Sequence, residues 1–322
     1  MRKLLFIMMA MVPMALWAQF APPAGHVGTT AIHADSSAFV AWATGCTVER
    51  GPMRIDRPEA GLADFGHDTL AIGVPGGTFN VVSLGDGGVA TLTFASPICN
   101  GVGPDFAVFE NGFVNAQDST VYFLELAFVE VSSDGMSFFR FPAISHVTEL
   151  GANGCIDPEQ IHNFAGKYEA FYGTPFDLDD VEDNPLLDKN HVTHVRLVDV
   201  VGCSDPQYAT YDSEGHVVVE SWPTPFGSSG FDLDAVGVIH DLAHNDLPEN
   251  GSEGVALYPN PVNEMLIVTM EGLQSVEVYN AVGQLVVSTT DDTINMATLP
   301  DGVYFVRIVS VEGNVVKRVV KQ

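Results

Sequence analysis

Apolar and polar side chains alternate through block after block of this chain, and glycine or proline cuts each block short. Val89-Ala90-Thr91-Leu92-Thr93-Phe94 shows the rhythm most cleanly. Phe106 to Glu110, Glu125 to Ser133, His191 to Val201 and Phe231 to Ile239 are further strand-like runs. A period of two sends successive side chains to opposite faces of an extended backbone, the mark of a half-buried strand. The 31 glycines and 19 prolines fall mostly between these runs, where they end strands and set turns. Helical patterning is poor, and the segment from Pro158 to Tyr172 is the best short helix. The 322 residues suffice for one large domain and one small domain, each with its own core. The expected fold is all-β: a two-sheet jelly-roll of about ten strands over residues 20–243, then a smaller sandwich over 255–322.

Residues 1–19 read as an export signal. Arg2 and Lys3 precede an apolar run from Leu4 to Leu16, and Ala15-Leu16-Trp17-Ala18-Gln19 offers a small-residue cleavage point. The run is short for a membrane span, and no other stretch reads as transmembrane. Net charge is −28. Between Phe20 and Gly254 there are 7 Lys and Arg against 34 Asp and Glu. Phosphate binding needs a basic footprint, so nucleic acid is not an expected partner. Cys46, Cys99, Cys155 and Cys203 all precede residue 244 and fit no zinc spacing. In an exported chain that even count predicts disulfides, in any of three pairings.

From Val255 the chain reads VALYPNPVNEMLIVTMEG, SVEVYNAVGQLVVS, INMATLPDGVYFVRIVS and NVVKRVVKQ, each block alternating and each break carrying turn residues. Prolines on both sides of Asn260 favour extended backbone there, and Asp301-Gly302 suits a tight turn. Six or seven short strands make a small immunoglobulin-like sandwich. The Tyr-Pro-Asn-Pro start, the Tyr-Asn-x-x-Gly turn, the Leu-Pro-x-Gly-Val-Tyr-Phe-Val-Arg block and the basic end resemble the type A sorting domain of the type IX secretion system of Bacteroidetes. That resemblance implies delivery across the outer membrane by the type IX machinery, acting through residues 255–322, to the medium or the cell surface. His244 to Gly254 is polar with Gly and Pro, a linker.

In residues 20–243, VEVSSDGMSFFRF, VTHVRLVDVVG and GFDLDAVGVI resemble the galactose-binding-like sandwich of carbohydrate-binding and discoidin-type modules. SLGDGGVATLTF, NGVGPDFAVFENGF and LELAFVEVSSDG resemble uncharacterised bacterial cell-surface proteins. On an alternating strand Asp232 and Asp234 share a face, and neighbouring carboxylates repel unless a cation intervenes. Calcium takes several hard oxygens, so Asp105, Glu110, Asp232 and Asp234 are candidate ligands of a structural Ca2+. The resemblance implies this role for Asp234 in particular. The alternative is a set of carboxylates that cap backbone N–H groups. Tyr168, Tyr172, Trp222 and Phe226 lie in loop-like stretches beside acidic and amide residues, where aromatic faces suit a glycan or another flat ligand. The competing reading is a loop packed by its own aromatics.

No Gly-x-Ser-x-Gly or His-Glu-x-x-His occurs, and no cysteine sits in a nucleophile context. The expected function is therefore a non-catalytic ligand-binding or adhesion protein of the cell surface. A glycan-active hydrolase and a surface component of a nutrient-uptake system are the alternatives.

Overall fold

The computed structural model describes residues 20–244, 255–270, 272–280, 284–310 and 313–322. The expected export signal at 1–19 and the expected linker beyond His244 lie outside them. The described residues are all-β, their helices being five 3-10 turns of three or four residues. The chain divides into two compact units, Met1–His244 and Asn245–Gln322.

In the first unit, two antiparallel sheets share one core. The six-stranded sheet runs Ile32–His33, Tyr172–Phe176, Phe106–Glu110, Asp232–Val238, Ala41–Trp42, with Val82–Ser83 paired to the start of Asp232–Val238. The five-stranded sheet runs Phe139–Arg140, Ala127–Ser132, Val192–Asp199, Val89–Ile98, Gly45–Glu49. Phe106, Val108, Leu233, Val236 and Val238 of one pack with Leu92, Val129, Val131, Val195 and Leu197 of the other. The period of two thus becomes one buried face on Val192–Asp199, whereas Ala127–Ser132 is buried at every position. All ten side chains are at most 1% exposed, and each such burial is worth roughly 1.5–3 kcal/mol.

Phe106–Glu110 and Asp232–Val238 are buried at every position. Their far face, Ala107, Phe109 and Ala235, packs under Phe39 and Trp42. Such doubly covered strands lose the alternation and read as apolar runs. A second core forms where Phe128 and Val198, on the outer face of the five-stranded sheet, meet Leu126, Ile156, Ile161, Phe164 and Val218.

Among its described residues the unit has fifteen strands rather than about ten. The extra ones, such as Ile32–His33, Val82–Ser83 and Ile144–Ser145, are two residues long, too short to display a period. The helix expected from Pro158 is one 3-10 turn, Pro158–Gln160, followed by Ile161–His162 paired with Ile144–Ser145. Asn163 and Gly166 have φ of 53° and 81°, which a right-handed helix cannot accommodate.

The expected disulfides are also absent: no two of Cys46, Cys99, Cys155 and Cys203 are joined. They sit on separate elements with other contacts. Cys155 Sγ accepts from Asn115 Nδ2 and Cys203 Sγ from Asp205 N, each at 3.4 Å. Burial, aided by Asp68, pushes the Cys46 thiol up to about 12, and a thiol so held is a poor nucleophile for exchange.

Among its described residues the second unit has seven strands in antiparallel sheets of three and four. Leu266, Val268 and Ile294 of one pack with Val276, Val278, Val306, Ile308 and Val319 of the other. Its longest pairing joins Gly302–Ser310 to Gly313–Lys321.

Candidate functional site

Buried acidic side chains lie where several strands of the first sandwich end, and among the described residues no three of them are placed to hold a metal ion. Glu110 continues the core-facing positions Phe106 and Val108. Asp199 continues Val195 and Leu197, and Glu125 precedes Ala127, Val129 and Val131 in the same phase. Alternation therefore sends all three carboxylates between the sheets. Glu220 joins them by accepting the Leu126 N–H at 2.6 Å. Asp199 accepts the N–H of Gly87 at 2.8 Å and of Phe231 at 2.6 Å. Gly230 permits this approach: its φ is 70°, and a Cβ there would lie 2.8 Å from Asp199 Oδ1. Asp232 accepts from the Ser83 hydroxyl, and from Asn111 Nδ2 at 2.8 Å. Glu110, Glu125, Asp199, Glu220 and Asp232 are all between 2% and 6% exposed.

Burial, reinforced by mutual repulsion, holds Glu110, Glu125, Asp199 and Glu220 well above the usual carboxylate range. Burial raises Asp232 to about 6, against the pull of Ser83, Asn111 and Arg50. The Arg50 guanidinium is itself spent on the carbonyls of Phe65, Ser83 and Gly66.

The four carboxylates singled out in the sequence do not form one group. Glu110 and Asp232 are in this cluster. Asp234 is the extra residue of a bulge between Leu233 and Ala235. Its oxygens accept the N–H groups of Gly76 at 2.7 Å and Gly77 at 3.0 Å, and burial raises it to about 6. The bulge gives Asp232 and Asp234 different partners despite their spacing. Asp105 precedes the opposite end of Phe106–Glu110, roughly 16 Å from Glu110 at ~3.3 Å per residue. It accepts from Gly101 N at 2.7 Å, Leu178 N at 2.8 Å and His240 Nδ1 at 2.8 Å.

The four loop aromatics are also dispersed. Tyr168 is 2% exposed and its hydroxyl meets Thr30 Oγ1 at 2.8 Å, so it belongs to the interior. Tyr172 lies on a strand beside His33, its ring edge-on at 5.0 Å. Trp222 donates its indole N–H to Asp86 Oδ2 at 2.8 Å, with the Arg54 guanidinium 5.7 Å from its ring. Phe226 is 66% exposed, and Phe79, which sequence reasoning passed over, is 85% exposed.

Sequence reasoning also missed a cleft of about 710 Å³. Val147, Val217 and Val219 give it apolar walls, and Ser145, His146, Glu159, Gln160, Ser204 and His216 give it polar ones. The Phe20 ring stacks on His146 at 5.1 Å and on His162 at 5.0 Å. Asp212 Oδ2 lies 3.2 Å from His216 Nδ1 and accepts the Ser145 N–H at 2.9 Å. Burial alone would raise the Asp212 carboxyl, but N–H groups of Ser145, His216 and Glu214 and the His216 ring bring it below its ordinary value. Four separate segments build the cleft, and none carries a local motif.

Residues 256–322 match the family model of the secretion system C-terminal sorting domain. The second unit thus supplies a type IX sorting signal: the chain is exported through that machinery and is attached at the outer cell surface or secreted. No helix among the described residues is long and apolar enough to cross a membrane. No curated protein matches the chain. A solved structure titled "Biofilm associated protein - BSP domain" is similar at 13% identity and a TM-score of 0.17, over 73% of this chain and 48% of that one. The chain spans about half the length of that structure.

Proposed function

We propose that the first unit is a surface-delivered binding module that takes a small ligand or a short glycan in the cleft beside His146 and His216. The cleft carries this reading. Its volume of about 710 Å³ falls within the range of roughly 300–1,000 Å³ common for small-ligand sites. Its valine walls can bury an apolar ring face while Glu159, Gln160 and the two histidines fix hydroxyl groups. The test is a glycan and small-ligand array with the chain from residue 20 onward, repeated with Val217→Glu. A ligand bound by the native chain and lost in the variant supports the reading. No binding, or binding untouched by the variant, contradicts it.

One observation favours hydrolysis as a second reading. Asp212 orients His216 in a cleft that also holds Ser145 and Ser204, an arrangement in which a histidine can act as general base. Turnover of a polysaccharide or ester that His216→Ala abolishes would replace the binding reading.

A further inference from the structure

A second cavity, of about 530 Å³, opens beside the edge of the six-stranded sheet. Ile32–His33 pairs with Tyr172–Phe176 at Gly173 and Tyr172 and no further. Edge pairing therefore stops at the residue before Thr174, and the cavity lies where it stops, lined by Ile32, Thr174 and Pro175. Phe20 and Pro104 add apolar wall. The Phe20 ring is fixed by stacking on His146 and His162, and its backbone N–H donates to the Glu159 carbonyl at 3.0 Å. The fold leaves two polar groups of this cavity incomplete. Thr174 is 3% exposed, and its hydroxyl has no hydrogen-bond partner among the described residues. A buried hydroxyl left in that state costs about 1–3 kcal/mol. Lys167 is also 3% exposed and lines the same cavity. Its ammonium has three donors, and the carbonyls of Pro158 and Ile161 take two of them, at 3.0 Å and 2.6 Å. Among the described residues no carboxylate is ion-paired with it; Asp157 and Glu159 act on it through charge alone. Burial lowers Lys167 to about 8, so it keeps its charge at pH 7. Burial and that charge together lower His162, which leaves Lys167 as the cation of the cavity.

We propose that this cavity binds a short apolar peptide with free ends, its carboxylate on Lys167 and Thr174 and its ammonium toward Asp177 and Asp180. A buried ammonium with no counter-charge and a buried hydroxyl with no partner, in one cavity, are what a carboxylate completes. A water molecule would satisfy Thr174 but would bring no charge to Lys167. Asp177 and Asp180 line the same cavity. Asn163 Nδ2 donates to Asp180 Oδ2 at 3.1 Å, and Asp177 Oδ1 accepts the Asp179 N–H at 2.9 Å. Asp180 is exposed whereas Lys167 is buried, so the cavity is cationic in its interior and acidic at its mouth. A simple carboxylic acid is repelled at such a mouth, while a zwitterion meets both signs. Phe20, Ile32, Pro104 and Pro175 offer apolar surface to its side chains. The volume falls within the range of ordinary ligand sites and is larger than one amino acid needs. This cavity shares no lining residue with the cleft beside His146 and His216, so the inference does not rest on the reading of that cleft.

The test is calorimetric titration of the chain from residue 20 to 322 with leucine, with dileucine, and with dileucine blocked by acetyl and amide groups. Free dileucine should bind saturably, and the doubly blocked form should bind about tenfold more weakly or worse. Thr174→Val should weaken free dileucine about tenfold. Because it removes an unpaired hydroxyl and keeps the side-chain shape, it should leave the melting temperature equal or higher. Asp180→Asn should weaken free dileucine about threefold, since its charge is exposed, and leave N-acetyl-dileucine unaffected; it serves if the first variant does not fold. Val217→Glu protein that melts like the native chain should bind dileucine like the native chain, which separates this cavity from the cleft. Absence of saturable dileucine binding, equal binding of the blocked peptide, or a Thr174→Val protein with full affinity would overturn the proposal. So would leucine that binds more tightly than dileucine, or loss of dileucine binding in folded Val217→Glu.

Discussion

Raising the pH in the presence of chelator should loosen the first unit well below the range where proteins ordinarily suffer from alkali. Asp232 and Asp234 have folded-state values of about 6 against an ordinary 3.8. A carboxyl whose value is raised by folding binds its proton more tightly in the native state. Its contribution is complete below about pH 4 and is lost as pH climbs through 6. Between pH 5 and 7.5 each of the two loses about 1.4 kcal/mol, or about 3 kcal/mol for the pair. Glu110, Glu125, Asp199 and Glu220 shift in the same direction and can only steepen the loss. His162, whose protonated form is disfavoured by burial, acts in the opposite sense over the lower part of the window, while Asp86, Asp105 and Glu169, also raised by burial, act with the other carboxyls. For a domain of this size, about 3 kcal/mol corresponds to roughly 6–12 °C in melting temperature. The assay is urea unfolding of the chain from residue 20 onward, followed by tryptophan fluorescence. Trp42 and Trp222 are then its only tryptophans, so the signal reports the first unit alone. A stability that is flat or rising from pH 5 to 7.5 in chelator would refute the reasoning.

Other expectations follow from single residues. Lys167 is buried, donates to the carbonyls of Pro158 and Ile161, and is held down to about 8 by burial. A lysine lowered by folding gains stability as pH rises from about 8 toward 10.5, here about 3 kcal/mol; in Lys167→Met that rise should vanish from the pH profile. Gly230→Ala should cost about 2–4 kcal/mol in urea unfolding, since φ is 70° and the added Cβ would meet Asp199 Oδ1 and the Gly85 backbone. Glu130 pairs with both Arg140 and Arg196 at 2.9 Å and 2.6 Å. Its replacement by Ala should cost about 1–2 kcal/mol because the half-exposed guanidinium groups stay hydrated. Peptide mapping of protein purified without reductant should find no linked pair among the four cysteines, and any native disulfide would contradict the structure.

The strands were legible where alternate side chains enter one core. In Ala127–Ser132 and Val192–Asp199 the alternation of core and outer residues is visible in sequence and observed in the core. Phe106–Glu110 and Asp232–Val238 were recognisable by apolar content although both faces are covered. The two-residue strands were not legible, because a pairing that short leaves no period. The site was harder. Glu110 and Asp232 were found as hard-oxygen donors, but Asp105, named with them, precedes the opposite end of the strand that Glu110 closes. The missed members, Glu125 and Asp199, did carry a signal: each falls in phase with buried valines, so each had to face the core. Arg196 pairs with Glu130 across the sheet, while the same phase rule turns Asp199 inward. The cleft left no trace in the sequence, as Ser145, His146 and His216 lie on segments that only the fold brings together.

The account rests first on the division of labour between a first unit that acts and a second unit that exports it. The direct measurement is the location of the full chain and of a chain ending at residue 254, expressed in a bacterium with an intact type IX system and followed by fractionation and surface labelling. The full chain should be surface-labelled or released, and the shortened chain should accumulate, folded, in the periplasm. A shortened chain that reaches the surface as efficiently as the full one would contradict the account.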